Sequence, residues 1–176
     1  KGTQAALITK SLGISHISTG DMMRSAVASG SELGEKVKGY MDRGELVPDA
    51  VVIDVIKSRL AQDDCRAGFL LDGFPRTALQ AEALAELLKE VGMPLSHVIE
   101  LNAPDQILIE RIAGRGASGS GRSDDTAEMA AKRLDVYKEQ TLPVSRYYAS
   151  NGPNLIVVDG VGEVQDIHEK ILQAVA

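Results

Sequence analysis

The side chains best suited to chemistry are cations, one carboxylate and turn-forming glycines, gathered in three places. The chain opens Lys1-Gly2-Thr3, directly ahead of the helical pattern Gln4-Ala5-Ala6-Leu7-Ile8. This resembles the end of a glycine-rich phosphate loop, where backbone N–H groups and a helix N-terminus face phosphates and a lysine adds a point charge. Alone the tripeptide says little, because a solvated lysine before a helix looks the same. The run Leu71-Asp72-Gly73-Phe74-Pro75-Arg76-Thr77 is more specific. Asp72 ends an apolar segment, where a carboxylate either caps a turn or holds the water shell of a Mg2+ ion among phosphates. Gly73-Phe74-Pro75 permits a tight turn that brings Arg76 to the C-terminal edge of a sheet, from where its guanidinium can fork onto a phosphate. Thr77-x-x-Gln80 is a capping box and equally a place for an amide to read a base edge; the spacing leaves both open.

Further cations lie downstream. Arg111 and Arg115 are four apart and share a helix face, while Arg122 and Arg133 flank the start of the next long helix. Between them runs Gly116-Ala117-Ser118-Gly119-Ser120-Gly121, whose small residues suit a mobile connection or a plain surface loop. Asp124-Asp125 either hold the arginines or cap the following helix. His16, His97 and His168 read as structural, since none pairs with a Ser or Cys in a nucleophile motif.

The elements that must position these groups follow from apolar patterning. Val/Ile/Leu-rich runs at 16–19, 69–72, 97–101 and 155–159 read as buried strands. Helical spacing predicts helices at about 3–12, 20–29, 31–43, 49–62, 77–91, 104–114, 124–149 and 163–175. Strands alternating with helices specify an α/β fold with a parallel sheet covered on both faces. Pro104 suits a first helical turn, and Pro143 should kink or break the long helix.

With 176 residues, 44% of them hydrophobic, the chain suits one domain with a sizeable core built from aliphatic side chains, since aromatics are only 3%. A formal charge of −6 argues against general nucleic-acid or membrane-surface binding, which draws on clustered positive charge. Any anion site must be local. Cys65, the single cysteine, reads as a packing residue in a reducing compartment and leaves no cysteine cluster for zinc, so the cytoplasm is expected.

Three segments share their order and spacing with adenylate kinases: Ile17-Ser18-Thr19-Gly20-Asp21-Met22-Met23-Arg24, then Gly44-Glu45-Leu46-Val47-Pro48, then the Asp72 to Gln80 run. The chain resembles that family throughout, to Val158-Asp159-Gly160. The resemblance implies a P-loop kinase three-layer fold with five parallel strands, four of them present here. It implies one domain with a core (1–17, 48–114, 126–176), a monophosphate-binding arm at about 18–47 and a lid at about 115–125. The lid is a short one, lacking the small β lid and the zinc site of longer forms.

The same resemblance implies roles. Lys1, Gly2, Thr3, Arg111, Arg115 and Gly162 would bind ATP. Thr19, Arg24, Glu45, Leu46, Val47, Gly73, Phe74, Pro75, Arg76, Gln80, Arg122 and Arg133 would bind AMP, with Gln80 reading the adenine edge. Lys1, Arg76, Arg111, Arg115, Arg122 and Arg133 would be catalytic, and Asp72 would hold Mg2+ through water. A monomer is expected. An AMP phosphate oxygen is already anionic, so transfer needs alignment, charge compensation and exclusion of water rather than a general base. Closure of arm and lid should precede chemistry, with reopening setting turnover.

Two alternatives are a UMP/CMP-type kinase, disfavoured by Thr19 with Gln80, and a non-catalytic nucleotide-binding remnant, disfavoured by retention of the arginines. The family's first strand would lie between 69–72 and 97–101, so about a dozen further residues, carrying that strand and the glycine loop, are expected ahead of Lys1. Without it, buried ladder groups would go unpaired at about 1 to 3 kcal/mol each.

Overall fold

The computed structural model describes residues 1–117, 126–153 and 155–176. Helices α1 (Gly2–Leu12), α2 (Thr19–Ala28), α3 (Glu32–Asp42), α4 (Asp49–Leu60), α5 (Ala78–Glu90), α6 (Asp105–Ala117), α7 (Ala127–Val136), α8 (Leu142–Asn151) and α9 (Val164–Val175) alternate with strands β1 (Ser15–Ser18), β2 (Phe69–Asp72), β3 (Val98–Asn102) and β4 (Leu155–Asp159). Among the described residues these four strands are the ones the apolar runs predict.

Both strand pairings are parallel. Ser15 to Ser18 run beside Phe69 to Asp72, and Val98 to Asn102 beside Leu155 to Asp159. No ladder joins β2 to β3 among the described residues. Packing nevertheless unites the pairs. Leu70 of β2, Ile99 and Leu101 of β3, and Ile156 and Val158 of β4 share one apolar cluster with Ile8 of α1 and Ile167 and Ile171 of α9. Strand side chains alternate in direction, so Phe69 and Leu71 point to the other face, against Ile56, Cys65, Leu84 and Leu88. Helices thus cover both faces, as three layers require.

Helix ends follow local chemistry. Ser18, Ser31, Thr77 and Thr126 each accept a hydrogen bond from the backbone N–H three residues on. The N-cap of α2 is therefore Ser18, and the first strand ends one residue earlier than the apolar run suggests. The predicted helix over 124–149 is divided: α7 passes through a π-helical turn, Tyr137–Thr141, into α8. Pro143 lies in the first turn of α8. Lacking an N–H and clashing with the carbonyl four residues back, it forces the irregular turn ahead of itself. Cys65 is fully buried beside Arg59, whose Nη1 lies 3.0 Å from Sγ. No described helix is long and apolar enough to cross a membrane.

Candidate active site

The carboxyl ends of β1 and β2 are neighbours because Ser18 pairs with Asp72. Each strand then delivers a functional group where α/β folds bind ligands. Asp72, 7% exposed, pairs through Oδ1 with Lys1 Nζ, and its Oδ2 accepts from His16 Nε2 at 3.2 Å. Burial pushes the Asp72 carboxyl up, but the Lys1 charge and the bonds from Lys1 and His16 outweigh it and hold the group below its ordinary value. A carboxylate kept ionised in a buried position can balance cations or hold a metal's water shell.

Lys1 stands at the N-cap position of α1, with Gly2 and Thr3 in the exposed first turn. The leading N–H groups of a helix have no intrahelical acceptor and face an anion. Gly2 lies close to the same carboxylate: a Cβ there would stand 3.6 Å from Asp72 Oδ2.

Gly73 is the hub. Its φ of +85° is a conformation L side chains rarely adopt, and a Cβ there would lie 3.0 Å from Thr19 Oγ1, 3.1 Å from Arg76 Nη2 and 3.6 Å from Lys1 Nζ. Its carbonyl accepts from Thr19 Oγ1 at 3.0 Å and from Arg76 Nε at 2.8 Å. Burial, then the nearby charges of Arg133 and Arg24, push the Arg76 guanidinium below its ordinary value, while Asp72 opposes them. Lys1, Arg24, Arg76 and Arg133 therefore bring four cations near one another in a chain whose net charge is negative, with Lys1 paired to Asp72 and Arg24 to Asp21.

The predicted residues also make contacts of their own. Arg24 is bonded to Asp21 one turn earlier on α2. Glu45 accepts from Arg43 Nε at 2.9 Å and faces Lys132 of α7 at 4.0 Å. Leu46 and Val47 are half-buried in the irregular stretch between α3 and α4, and Val47 packs on the core. Phe74 is 5% exposed and belongs to the apolar core, so it sets the turn rather than presenting its ring; Pro75 follows it in that turn. Arg133 packs beside Gly44, where a Cβ would stand 3.4 Å from its Cγ. Arg111 sits apart, its Nη1 donating to Gly160 O at 2.8 Å, near Gly162 with φ +130° after β4. Arg115 belongs to α6. Its side chain, like Arg122, the lid apart from its first residues, and Asp124-Asp125, lies outside the described residues.

Gln80 meets half of the capping-box reading of its spacing. Its N–H donates to Thr77 Oγ1 at 3.2 Å, as in a capping box, but its side-chain Oε1 accepts from the Arg76 N–H at 2.8 Å rather than from the Thr77 N–H. Its Nε2 donates to Asp49 Oδ1 at 2.7 Å, which also accepts from Thr77 Oγ1 at 3.0 Å. Sequence reasoning missed Asp49, which reads as an ordinary first-turn acid after Pro48. His16 reads as structural, yet it reaches Asp72. No local pattern carries either signal, because each partner is distant in sequence.

A family model described as adenylate kinase matches residues 1–153. The adenylate kinase of Stenotrophomonas maltophilia (strain R551-3) is 49% identical over 175 residues, covering 99% of this chain and 92% of that protein. That of Leptospira biflexa serovar Patoc (strain Patoc 1 / Ames) is 47% identical over 175 residues, with 99% and 93% covered. That of Methanococcoides burtonii is 43% identical over 196 aligned residues, with 97% and 91% covered.

Proposed function

The chain belongs to the adenylate kinase family, and from that premise we propose that it catalyses reversible, Mg2+-dependent transfer of the γ-phosphoryl group of ATP to AMP, giving two ADP. The observation that carries this reading is the convergence of Thr19, Arg76 and Lys1 on Gly73, beside the buried Asp72 and the N-terminus of α1.

Four tasks fall to this chain's own residues. The first turn of α1 and Lys1 receive the phosphates of ATP, with Arg111 and Arg115 on α6 and Gly162 lining the same nucleotide. Arg24 and Arg76 grip the phosphate of AMP, while Thr19, the Glu45-Leu46-Val47 backbone and Gln80 line its ribose and base. Arg122 and Arg133 serve AMP and the transferred phosphoryl group. Aligning two polyanions and compensating their charge in a water-poor cleft supplies most of the acceleration for such a transfer.

Asp72 fits a supporting role toward Mg2+. It is a buried carboxylate with an Oδ2 that accepts a side-chain proton donor in this structure, and a water on a metal is a donor of the same kind. The metal, when bound, neutralises charge between phosphates. In this reading residues 18–47 form the arm, which is supported by the close packing of α2 on α3; residues 115–125 form a short lid, and the rest is core. The enzyme would act as a monomer in the cytoplasm, and the free, buried Cys65 is compatible with a reducing compartment.

A coupled assay offering AMP, CMP, UMP and GMP as acceptors with MgATP tests the proposal. AMP is expected to be phosphorylated best by a wide margin. Preference for CMP or UMP would overturn it in favour of the UMP/CMP-type alternative. Turnover with no acceptor would overturn it in favour of an ATPase.

A further inference from the structure

The geometry points to Asp49 as a specificity-determining residue, one that sets the choice of base by locking the amide of Gln80 in a single orientation. The inference rests on the reading above, in which Gln80 faces the base of the monophosphate.

A glutamine amide can rotate by half a turn and exchange its oxygen for its nitrogen at little steric cost, reversing the donor and acceptor pattern it presents. At Gln80 two partners forbid that exchange. The Arg76 backbone N–H can only donate, and it meets Oε1 at 2.8 Å. The Asp49 carboxylate can only accept, and it meets Nε2 at 2.7 Å. Turned over, the amide would set N–H against N–H at one end and oxygen against carboxylate at the other. Gln80 is 2% exposed, so water does not repair such a mismatch.

The bonds that hold the amide also define what is left over. Oε1 keeps one lone pair and Nε2 keeps one hydrogen. That acceptor and donor match the 6-amino group and N1 of adenine. They oppose hypoxanthine, whose O6 accepts and whose N1–H donates while the base keeps nearly the same shape. Asp49 is itself held by Thr77 Oγ1 at 3.0 Å. The N-cap of α5 and the first turn of α4 thus brace each other behind the base-reading amide, and Asp49 works as a positioning residue that need not touch substrate.

The test compares AMP with IMP as acceptors in wild type, Asp49→Ala and Asp49→Asn. With Asp49 removed, only the Arg76 N–H opposes the flip, and the AMP-to-IMP ratio of kcat/KM is expected to fall by about tenfold, the equivalent of one good hydrogen bond. Asp49→Asn keeps an acceptor oxygen and is expected to restore most of the ratio. A structural role alone would depress both substrates alike, so a ratio unchanged in Asp49→Ala overturns the inference even if the protein melts earlier.

A second measurement is independent of activity. In NMR of the unliganded protein the Gln80 side-chain amide protons should show slow exchange and hydrogen-bonded shifts that vanish in Asp49→Ala. Amide signals unchanged in that variant also overturn the lock. A wild type that does not prefer AMP would instead overturn the proposed function, and the NMR result would still decide the lock.

Discussion

Arg76 is the residue on which the site turns, because its guanidinium is aimed by its own backbone turn through the Nε bond to Gly73 O. Arg76→Lys keeps the charge but loses the planar fork and that bond. We expect kcat to fall by roughly 100-fold to 1,000-fold, as when a single preorganised charge-stabilising donor is removed, with the melting temperature little changed. Steady-state kinetics and calorimetry on the same preparation check both halves. Asp64 makes a different point, far from the chemistry. Bonds from Arg59, then Ser15, hold its carboxyl down to about 2 from an ordinary value of 3.8. A depressed folded-state value means that this contribution to stability is complete above pH about 4 and is lost as pH falls toward 2. Asp64→Asn should therefore flatten the acid side of the stability curve between about pH 4 and pH 2 and leave its slope near neutrality unchanged. Denaturant titrations at a series of pH values measure it.

Among elements, the α2–α3 pair is set by one small residue. A Cβ on Gly34 would come within 2.2 Å of Ala26 O and 2.8 Å of Val27 Cα, both backbone atoms that cannot step aside. Gly34→Ala should push the two helices apart and cost about 1 to 3 kcal/mol. Because α2 carries Thr19 and Arg24, KM for AMP should rise more than KM for ATP. Equal effects on both nucleotides would argue against residues 18–47 as the monophosphate arm. Helices α2 and α3, like α5 and α9, are legible from apolar spacing and caps because those signals act within one turn. The division of the predicted 124–149 helix at Tyr137–Thr141 is less so, since a proline announces a break but not on which side the backbone yields.

At the scale of the whole molecule, cohesion comes from side chains as much as from ladders. The two parallel strand pairs share no ladder among the described residues but meet in the cluster of Ile8, Leu70, Ile99, Val158 and Ile171. Ile171, fully buried on α9, contacts this shared core. Ile171→Ala should cost about 2 to 5 kcal/mol, shifting the denaturation midpoint while the AMP preference stays intact. Parallel strands, helices on both faces and the tight turn at Gly73 were determined by the sequence itself. Apolar periodicity and runs such as Asp72-Gly73-Phe74-Pro75-Arg76 encode local geometry that neighbours in the chain enforce. What only the tertiary structure decided are the long-range partners: His16 on Asp72, Arg111 on Gly160, and Asp49 on Gln80. These bonds join residues 31 to 56 positions apart. Which donor meets which acceptor across such separations depends on which strands pair and how the helices pack on them, and the pattern within one segment does not name its distant partner.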